Sequence, residues 1–257
     1  MKTPASHQPY KALISSDWNQ CLAPCGPFDP ILYNCPALAS DLTKIFKDYT
    51  GNKISLGIAN RRIGRLFPEG LSIKQMDDYL DDSFVTYQGV PALIDWCNKK
   101  NILFMINTTG FIGYFQRLFE KNMIPRIPAI SANPLIRYPY AETDVSQVYD
   151  LNEIEDKAIN TARAMDFYAI PEKKMVIIGD SGGDGPHFEW GNKHNAYTIA
   201  SMAKQSLTTY CDEKKIKIDL LFGPTYADGE EIIEENEMRF DFMELTSVFE
   251  RILKKDT

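Results

Sequence analysis

Histidine is scarce, with three in 257 residues, and cysteine is odd in number. The thiols Cys21, Cys25, Cys35, Cys97 and Cys211 show no spacing of a disulfide framework. A reduced, cytoplasmic setting is therefore expected. Cys21, Cys25 and Cys35 lie close in sequence, but no Cys-x-x-Cys pair or nearby downstream histidine joins them, which argues against zinc. No apolar run approaches the roughly 20 residues of a membrane span. The opening MKTPASHQPY lacks the apolar core of a signal peptide. Positive charge is also in deficit: the net charge is −7 and the pI about 5.1. An acidic surface argues against nucleic acid or an anionic membrane as partner. A small anionic substrate stays compatible, because a metal and one lysine set the local field. The chain has no internal repeat or low-complexity segment, and its sequence leaves the oligomeric state open.

What is present is ordinary globular composition, 44% hydrophobic and 25% charged. The length allows one large α/β domain, or a core domain with a smaller one inserted. Apolar runs at 11–16, 102–106, 175–178, 196–202 and 216–222 read as strands, with a further short one at Ala129-Ile130. Helical patterns alternate with them, ending in a stripe of Leu245, Val248, Phe249 and Ile252. The fold class expected is α/β, a doubly wound parallel sheet with helices on both faces. Residues 1–9 read as a loose arm, and 131–148 as irregular or a hairpin. Residues 24–88 look mostly helical, with no strong strand signal. Ser40 suggests a cap, and Ser72-Ile-Lys-Gln75 a capping box. The expected organisation is a core of 1–23 and 89–257, with 24–88 a helical cap over the end of the first strand.

Four sites of possible chemistry fall at strand ends or helix starts. Leu13-Ile14-Ser15-Ser16 leads to Asp17. Ile102 to Ile106 leads to Thr108, Thr109 and Gly110, then a helix from Phe111 to Asn122. Lys157 lies near the start of a helix from Ile154 to Met165. Met175 to Ile178 leads to Gly179-Asp180-Ser-Gly-Gly-Asp184. In open parallel sheets ligands bind at the carboxyl ends of strands. A carboxylate such as Asp17 attacks phosphorus only if cations offset the repulsion between anions. Magnesium, held by Asp17 and Asp180, and the point charge of Lys157 would do so. The Thr108 hydroxyl, with backbone N–H groups at Thr109 and Gly110, would hold a phosphoryl oxygen. Each residue alone has a plain structural alternative: Asp17 a turn residue, Thr108 a helix cap, Lys157 a solvated charge. The ordered set is far more specific than any member.

In that order these residues resemble the motifs of the haloacid dehalogenase-like (HAD) hydrolase superfamily. The first motif, Asp-x-Asp-x-Thr/Val, reads Asp17-Trp18-Asn19-Gln20-Cys21 here. The second ends at Thr108. The third is Lys157 by position, and the fourth, Gly179 to Asp184, is intact. The likeness spans about residues 11–200. Ile106-Asn-Thr-Thr-Gly-Phe111 and Ala132-Asn-Pro-Leu-Ile136 are most similar to the phosphoserine-phosphatase-like branch, with its small helical cap. The resemblance implies Asp17 as nucleophile and metal ligand. It makes the Asn19 main-chain carbonyl and Asp180 further ligands of Mg2+, with Asp184 supporting the metal site. The substrate it implies is a small phosphorylated metabolite.

The chain departs from the pattern at Asn19, where the family's phosphatases place an aspartate as general acid/base. An amide hydrogen-bonds but cannot shuttle a proton. The function expected is a magnesium-dependent phosphatase, slow for want of that acid; the alternatives are a hydrolase of carbon–halogen or carbon–phosphorus bonds and a non-catalytic binder of a phosphorylated ligand or a protein partner. His187, three residues past Asp184, is a conceivable substitute acid or a surface histidine. Arg61, Arg62 and Arg65 read as a solvated helix face or contacts to an anionic substrate tail. Glu230 to Glu237 reads as a solvated loop or a helix start.

Overall fold

The computed structural model describes residues 9–50, 53–227 and 229–254. The amino-terminal arm expected at 1–9 falls outside them except for its last residue. Ala12–Ser16 (β1) is buried at every position, as a strand covered on both faces must be. It pairs in parallel with Ile102–Phe111 (β2) on one side and Met175–Gly179 (β5) on the other. Ala129–Asn133 (β3) and Gln147–Asp150 (β4) extend the sheet beyond β2. Tyr197–Lys204 (β6) and Leu220–Tyr226 (β7) extend it beyond β5. The order is β4-β3-β2-β1-β5-β6-β7, all parallel, so the doubly wound sheet is as predicted. The winding reverses between β1 and β5, and that reversal opens a crevice at their carboxyl ends.

Four helices follow β1: Asp29–Asn34 (α1), Ala39–Thr50 (α2), Leu56–Leu66 (α3) and Ile73–Ser83 (α4). The other helices are Val90–Lys99 (α5), Ile112–Glu120 (α6), Asp156–Tyr168 (α7), Gly185–Lys193 (α8), Gln205–Lys214 (α9), Glu234–Glu237 (α10) and Leu245–Lys254 (α11). Strand side chains alternate between the two faces. Leu13, Leu103 and Ile177 pack into one cluster with Ala164, Phe188 and Leu207 from α7, α8 and α9. Ile14, Phe104 and Ile178 join the other cluster, with Leu93, Leu118 and Val248 from α5, α6 and α11. That second cluster also takes in Ile63, Met76 and Leu80 from α3 and α4.

Between 24 and 88 the described residues form helices and no strand, as expected. The Ser72 capping box is present, with Ser72 Oγ accepting from Gln75 N at 3.3 Å and Gln75 Oε1 accepting from Ser72 N at 3.0 Å. Ser40 is not a cap: α2 starts at Ala39, running on from a 3-10 turn at Pro36–Leu38. Arg61, Arg62 and Arg65 are exposed on α3, with Arg62 reaching Asp48 at 3.5 Å, which is the solvated-face arrangement.

Several boundaries move for physical reasons. The second strand runs on to Phe111 rather than stopping at Ile106, and its helix starts one residue later. Its pairing with β3 advances from Asn107↔Ser131 to Phe111↔Asn133, so Thr108 to Gly110 bulge out of register. The segment 131–148 is not a hairpin, because β4 runs parallel to β3 at the sheet edge. Half-exposed and only four residues long, β4 gives almost no apolar signal. The seventh strand begins at Leu220 rather than Ile216, since its ladder with β6 starts at Ile199↔Leu220. The acidic run is not fully solvated: Glu237 is 1% exposed and accepts the Tyr87 hydroxyl proton.

Candidate active site

Asp17 follows the last residue of β1, and its backbone N–H still bonds Ile178 O of β5 at 2.9 Å. The chain then turns tightly, with Leu22 and Ala23 amides donating to Trp18 O at 2.9 and 3.1 Å. Trp18, Cys21 and Leu22 are buried in that turn. Cys21 is thus a small core residue, and burial pushes its thiol well above the usual range. Asp17 Oδ1 accepts the Trp18 amide at 2.6 Å, and Oδ2 meets Lys157 Nζ at 2.9 Å.

Lys157, on the first turn of α7, is 1% exposed. Its ammonium also pairs with Asp184 Oδ1 at 2.6 Å. Burial alone would lower its pKa, but the Asp17 and Asp184 carboxylates outweigh it and hold the lysine charged. Asp184 Oδ2 accepts the amides of Asp180 and Ser181 at 3.0 and 3.3 Å, folding the loop after β5 back on itself. Gly179 is required there: a methyl group on it would lie 2.5 Å from Asp184 Cγ.

Oxygens of Asp17, Asp180 and Asp184 all lie within 4.8 Å of one another. Burial pushes the Asp180 carboxyl up to about 7, Lys204 opposing and the other two carboxylates adding. Burial likewise raises Asp17, against the pull of Lys157. Asp180 Oδ1 is buried with no hydrogen-bond partner among the described residues. Three converging carboxylates with an orphaned oxygen are the hard donor set a divalent cation takes. The residues therefore fit a metal ion.

Thr108 is fully buried; its hydroxyl donates to Asn19 Oδ1 at 3.1 Å and accepts the Gly110 amide at 3.1 Å. Thr109 is half-buried beside it. A methyl on Gly110 would lie 2.7 Å from Asn19 Oδ1, so only glycine fits under that amide. The Asn19 Nδ2 donates to Cys25 O at 3.3 Å. Asn19 is thereby fixed between Thr108 and the first turn of the helical segment. Asp17, Asn19, Thr108, Lys157, Asp180 and Asp184 thus lie together at one end of the sheet.

His187 does not join them. It is in α8 rather than a loop, is 1% exposed, and bonds Thr161 Oγ1 through Nε2 at 3.0 Å. Burial, helped by Lys157, lowers its pKa to about 3, so it carries no imidazolium proton to give at neutral pH. The unfolded chain protonates this histidine at its ordinary pKa of 6.5 and the folded chain only near 3. Stability is therefore lost as pH falls through that window. Thr161 gives its own proton to Lys157 O at 2.8 Å, so His187 Nε2 is the donor to it; His187→Gln keeps an N–H donor and should flatten the fall in melting temperature between pH 6.5 and 4. An unchanged acid limb would show that His187 is not held neutral.

Sequence reasoning missed two groups. Lys204 ends β6 and pairs with Asp180 Oδ2 at 2.7 Å, giving the acid cluster a second cation. Its only signal was a lysine directly after an apolar strand. Asn107 is fully buried and donates to Ser15 Oγ, Lys157 O and Thr161 Oγ1 at 3.1, 2.8 and 3.0 Å. It ties β1, β2 and α7 together beneath Lys157. An asparagine in an apolar run gave no hint of which strand or helix it would meet.

No protein-family model and no curated protein matches the sequence. Solved structures do match over nearly the whole chain. A phosphoserine phosphatase in a phospho-aspartyl intermediate analogue form has TM-score 0.63 at 17% identity, covering 93% of this chain and 99% of that one. A substrate-bound phosphoserine phosphatase has TM-score 0.62 at 16% identity, covering 94% and 99%. A HAD family hydrolase from Salmonella enterica serovar Typhi has TM-score 0.63 at 15% identity, covering 97% of this chain and 73% of that one. With its seven parallel strands in switch-point order, this chain shares the fold of these phosphoserine phosphatase and HAD family hydrolase structures.

Proposed function

We propose that the protein is a Mg2+-dependent phosphohydrolase of a small phosphorylated metabolite, working through an aspartyl phosphate on Asp17. The observation that carries this reading is the Asp17 carboxylate, pinned by Lys157 and the Trp18 amide within reach of Asp180 and Asp184. Asp17, Asp180 and the Asn19 main-chain carbonyl would hold the metal, with Asp184 supporting. A bound Mg2+ would supply Lewis-acid charge that offsets the phosphoryl oxygens. Asp17 attacks phosphorus and the P–O bond to the leaving group breaks, leaving an acyl phosphate that water then hydrolyses. The Thr108 hydroxyl turns from Asn19 to a phosphoryl oxygen, Thr109 and Gly110 present backbone N–H groups, and Lys157 neutralises the transferring group.

The position at which the motif places its general acid/base holds Asn19, which cannot shuttle a proton. Asn19 is an amide, and burial raises the Cys25 thiol beside it to about 11. The substrate class that suits this site has a leaving group that departs unprotonated, such as an aryl or acyl phosphate. Residues 24–88 act in this proposal as a cap over the core of 1–23 and 89–257. A crevice between Asn19, Gly26, Pro30, Gly110 and Tyr114 borders the site on the side of the helical segment. Asp77 with Arg117 (2.8 Å), Asp81 with Lys121 (2.8 Å) and Ser55 with Glu153 (2.8 Å) are the contacts that hold this cap to the core.

The test is hydrolysis of p-nitrophenyl phosphate with and without Mg2+, beside melting curves. A ligand at 100 times its Kd stabilises by about 2.7 kcal/mol, which for a chain this size is a rise of several degrees. Because the folded Asp180 carboxyl is raised from 3.8 to about 7, the metal-free protein loses stability as pH rises through that window. Mg2+ must displace that proton, so its melting shift should be larger at pH 8 than at pH 6. Turnover of p-nitrophenyl phosphate that ignores Mg2+ would take the metal out of this reading, and halide release from a haloacid with no hydrolysis of the phosphate would replace it with carbon–halogen chemistry. A second reading is favoured by Asn19, whose amide is spent on Thr108 and Cys25: a non-catalytic binder of a phosphorylated ligand. Phosphate and Mg2+ binding without turnover would mark it.

A further inference from the structure

All three carboxylates of the acid cluster are already engaged on at least one oxygen. Asp17 gives Oδ1 to the Trp18 amide and Oδ2 to Lys157. Asp184 gives Oδ1 to Lys157 and Oδ2 to the amides of Asp180 and Ser181. Asp180 gives Oδ2 to Lys204 at 2.7 Å, and its Oδ1 has no partner among the described residues. An oxygen that accepts one hydrogen bond keeps a lone pair for a metal. A carboxylate that chelates turns both oxygens to one ion, and here each carboxylate has a lysine on it. Asp180 has one oxygen entirely open, and Lys204 is what keeps it from offering two.

A defect in β6 places Lys204 for this. Ile199 and Met202 face one apolar cluster while Ala200 and Ala203 face the other, an odd spacing that a regular strand does not give. The ladder with β7 slips between Ser201 and Ala203, and Met202 sits at φ 47, a left-handed conformation rare for a bulky side chain. Gly223 on β7 makes room: a methyl there would lie 2.2 Å from Met202 Sδ. Such a bulge re-aims the side chains that follow it. Lys204 thereby lands on the side of the turn after Asp17, where its ammonium also meets Gln20 Oε1. Its main-chain N–H bonds Asp180 O at 2.7 Å, so backbone and side chain grip the same residue.

We propose that Lys204 selects the metal: it restricts Asp180 to one ligand oxygen and so favours Mg2+ over Ca2+. Mg2+ holds its ligands close in octahedral geometry, which single carboxylate oxygens suit. Ca2+ is larger, gathers more oxygens and takes a carboxylate through both. Lys204 acts through Asp180 and is a positioning residue. The inference rests on the metal site of the proposed function and extends it to the choice of ion.

The test is calorimetric titration of the full chain with Mg2+ and with Ca2+ at pH 8, in wild type, Lys204→Met and Lys204→Arg. Loss of a positive charge and any change in proton competition act on both ions alike. The ratio of the two dissociation constants therefore isolates coordination. Lys204→Met should shift that ratio toward Ca2+ by at least about tenfold. Lys204→Arg keeps a cation on Asp180 Oδ2 and should keep the wild-type ratio. Melting curves establish that each variant folds. Lys204 is partly exposed, so Lys204→Ala, with water in the space, repeats the comparison if Lys204→Met does not fold. An unshifted ratio in the folded variants would overturn the proposal. So would an equal gain for both ions, which would assign Lys204 to charge balance. Wild type that binds neither ion would overturn it together with the metal of the proposed function. Wild type that binds Mg2+ but hydrolyses no phosphate would end the phosphatase reading alone, because hydrolysis does not enter the ratio.

Discussion

Asp17→Asn is expected to abolish phosphoryl turnover while leaving the protein folded. Removing a nucleophile typically costs on the order of 10⁴–10⁶-fold in kcat. The fold should tolerate the change for a local reason. Lys157 keeps Asp184 at 2.6 Å, so its buried charge stays paired when Asp17 becomes neutral. The Trp18 amide keeps an acceptor in the asparagine carbonyl oxygen. Burial already disfavours the Asp17 charge, so neutralising it removes a desolvation cost as well as an attraction. Turnover of p-nitrophenyl phosphate and a melting curve together make the check. Activity within tenfold of wild type would mean that the nucleophile is elsewhere. A collapsed melting temperature would require repeating the test with Asp17→Ser before any conclusion about chemistry.

Asn19→Asp is expected to raise turnover of alkyl phosphates by about 10²–10⁴-fold, the usual contribution of general acid–base catalysis. The gain should be small for p-nitrophenyl phosphate, whose leaving group departs without a proton. The surroundings favour the acid form. Asn19 Nδ2 donates to Cys25 O at 3.3 Å, and a carboxyl at that position keeps the bond only while protonated. The same carboxyl would then take a proton from the attacking water once it has given its own away. The decisive measurement is the dependence of kcat/KM on leaving-group pKa, steep in wild type and flat in the variant. An equal gain on alkyl and aryl substrates would point to a change in metal binding rather than proton transfer. A silent wild type with an active variant would identify a complete scaffold that has left catalysis, and the non-catalytic reading would replace the first.

Both predictions concern residues legible in the chain before any coordinates. Asp17, Thr108 and Asp180 each follow an apolar run, and strand ends in a parallel sheet converge on one edge. Lys157 had only its position to speak for it. Tertiary structure supplies what its sequence context does not: burial, and two carboxylates at 2.9 and 2.6 Å. His187 shows the opposite case. Its nearness to Asp184 in sequence suggested a place in the site, yet a helix starting at Gly185 turns it inward onto Thr161. Asp184 precedes that helix and His187 lies within it, so their nearness in sequence gives no shared direction.

The sequence by itself determined the alternation of strands and helices, the parallel sheet, the helical character of 24–88 and the residue types at the strand ends. These are local quantities, set by periodicity, capping and short spacing. Only the tertiary structure decided which side chains meet across long separations. Lys204 against Asp180, Asn107 beneath Lys157 and Glu237 against Tyr87 join residues 24, 50 and 150 positions apart. It also decided the bulge from Thr108 to Gly110, because that follows from register with β3. The physical reason is the same in each case. Hydrophobic pattern tells a residue which face to bury, while polar pairing depends on which element the fold brings opposite it.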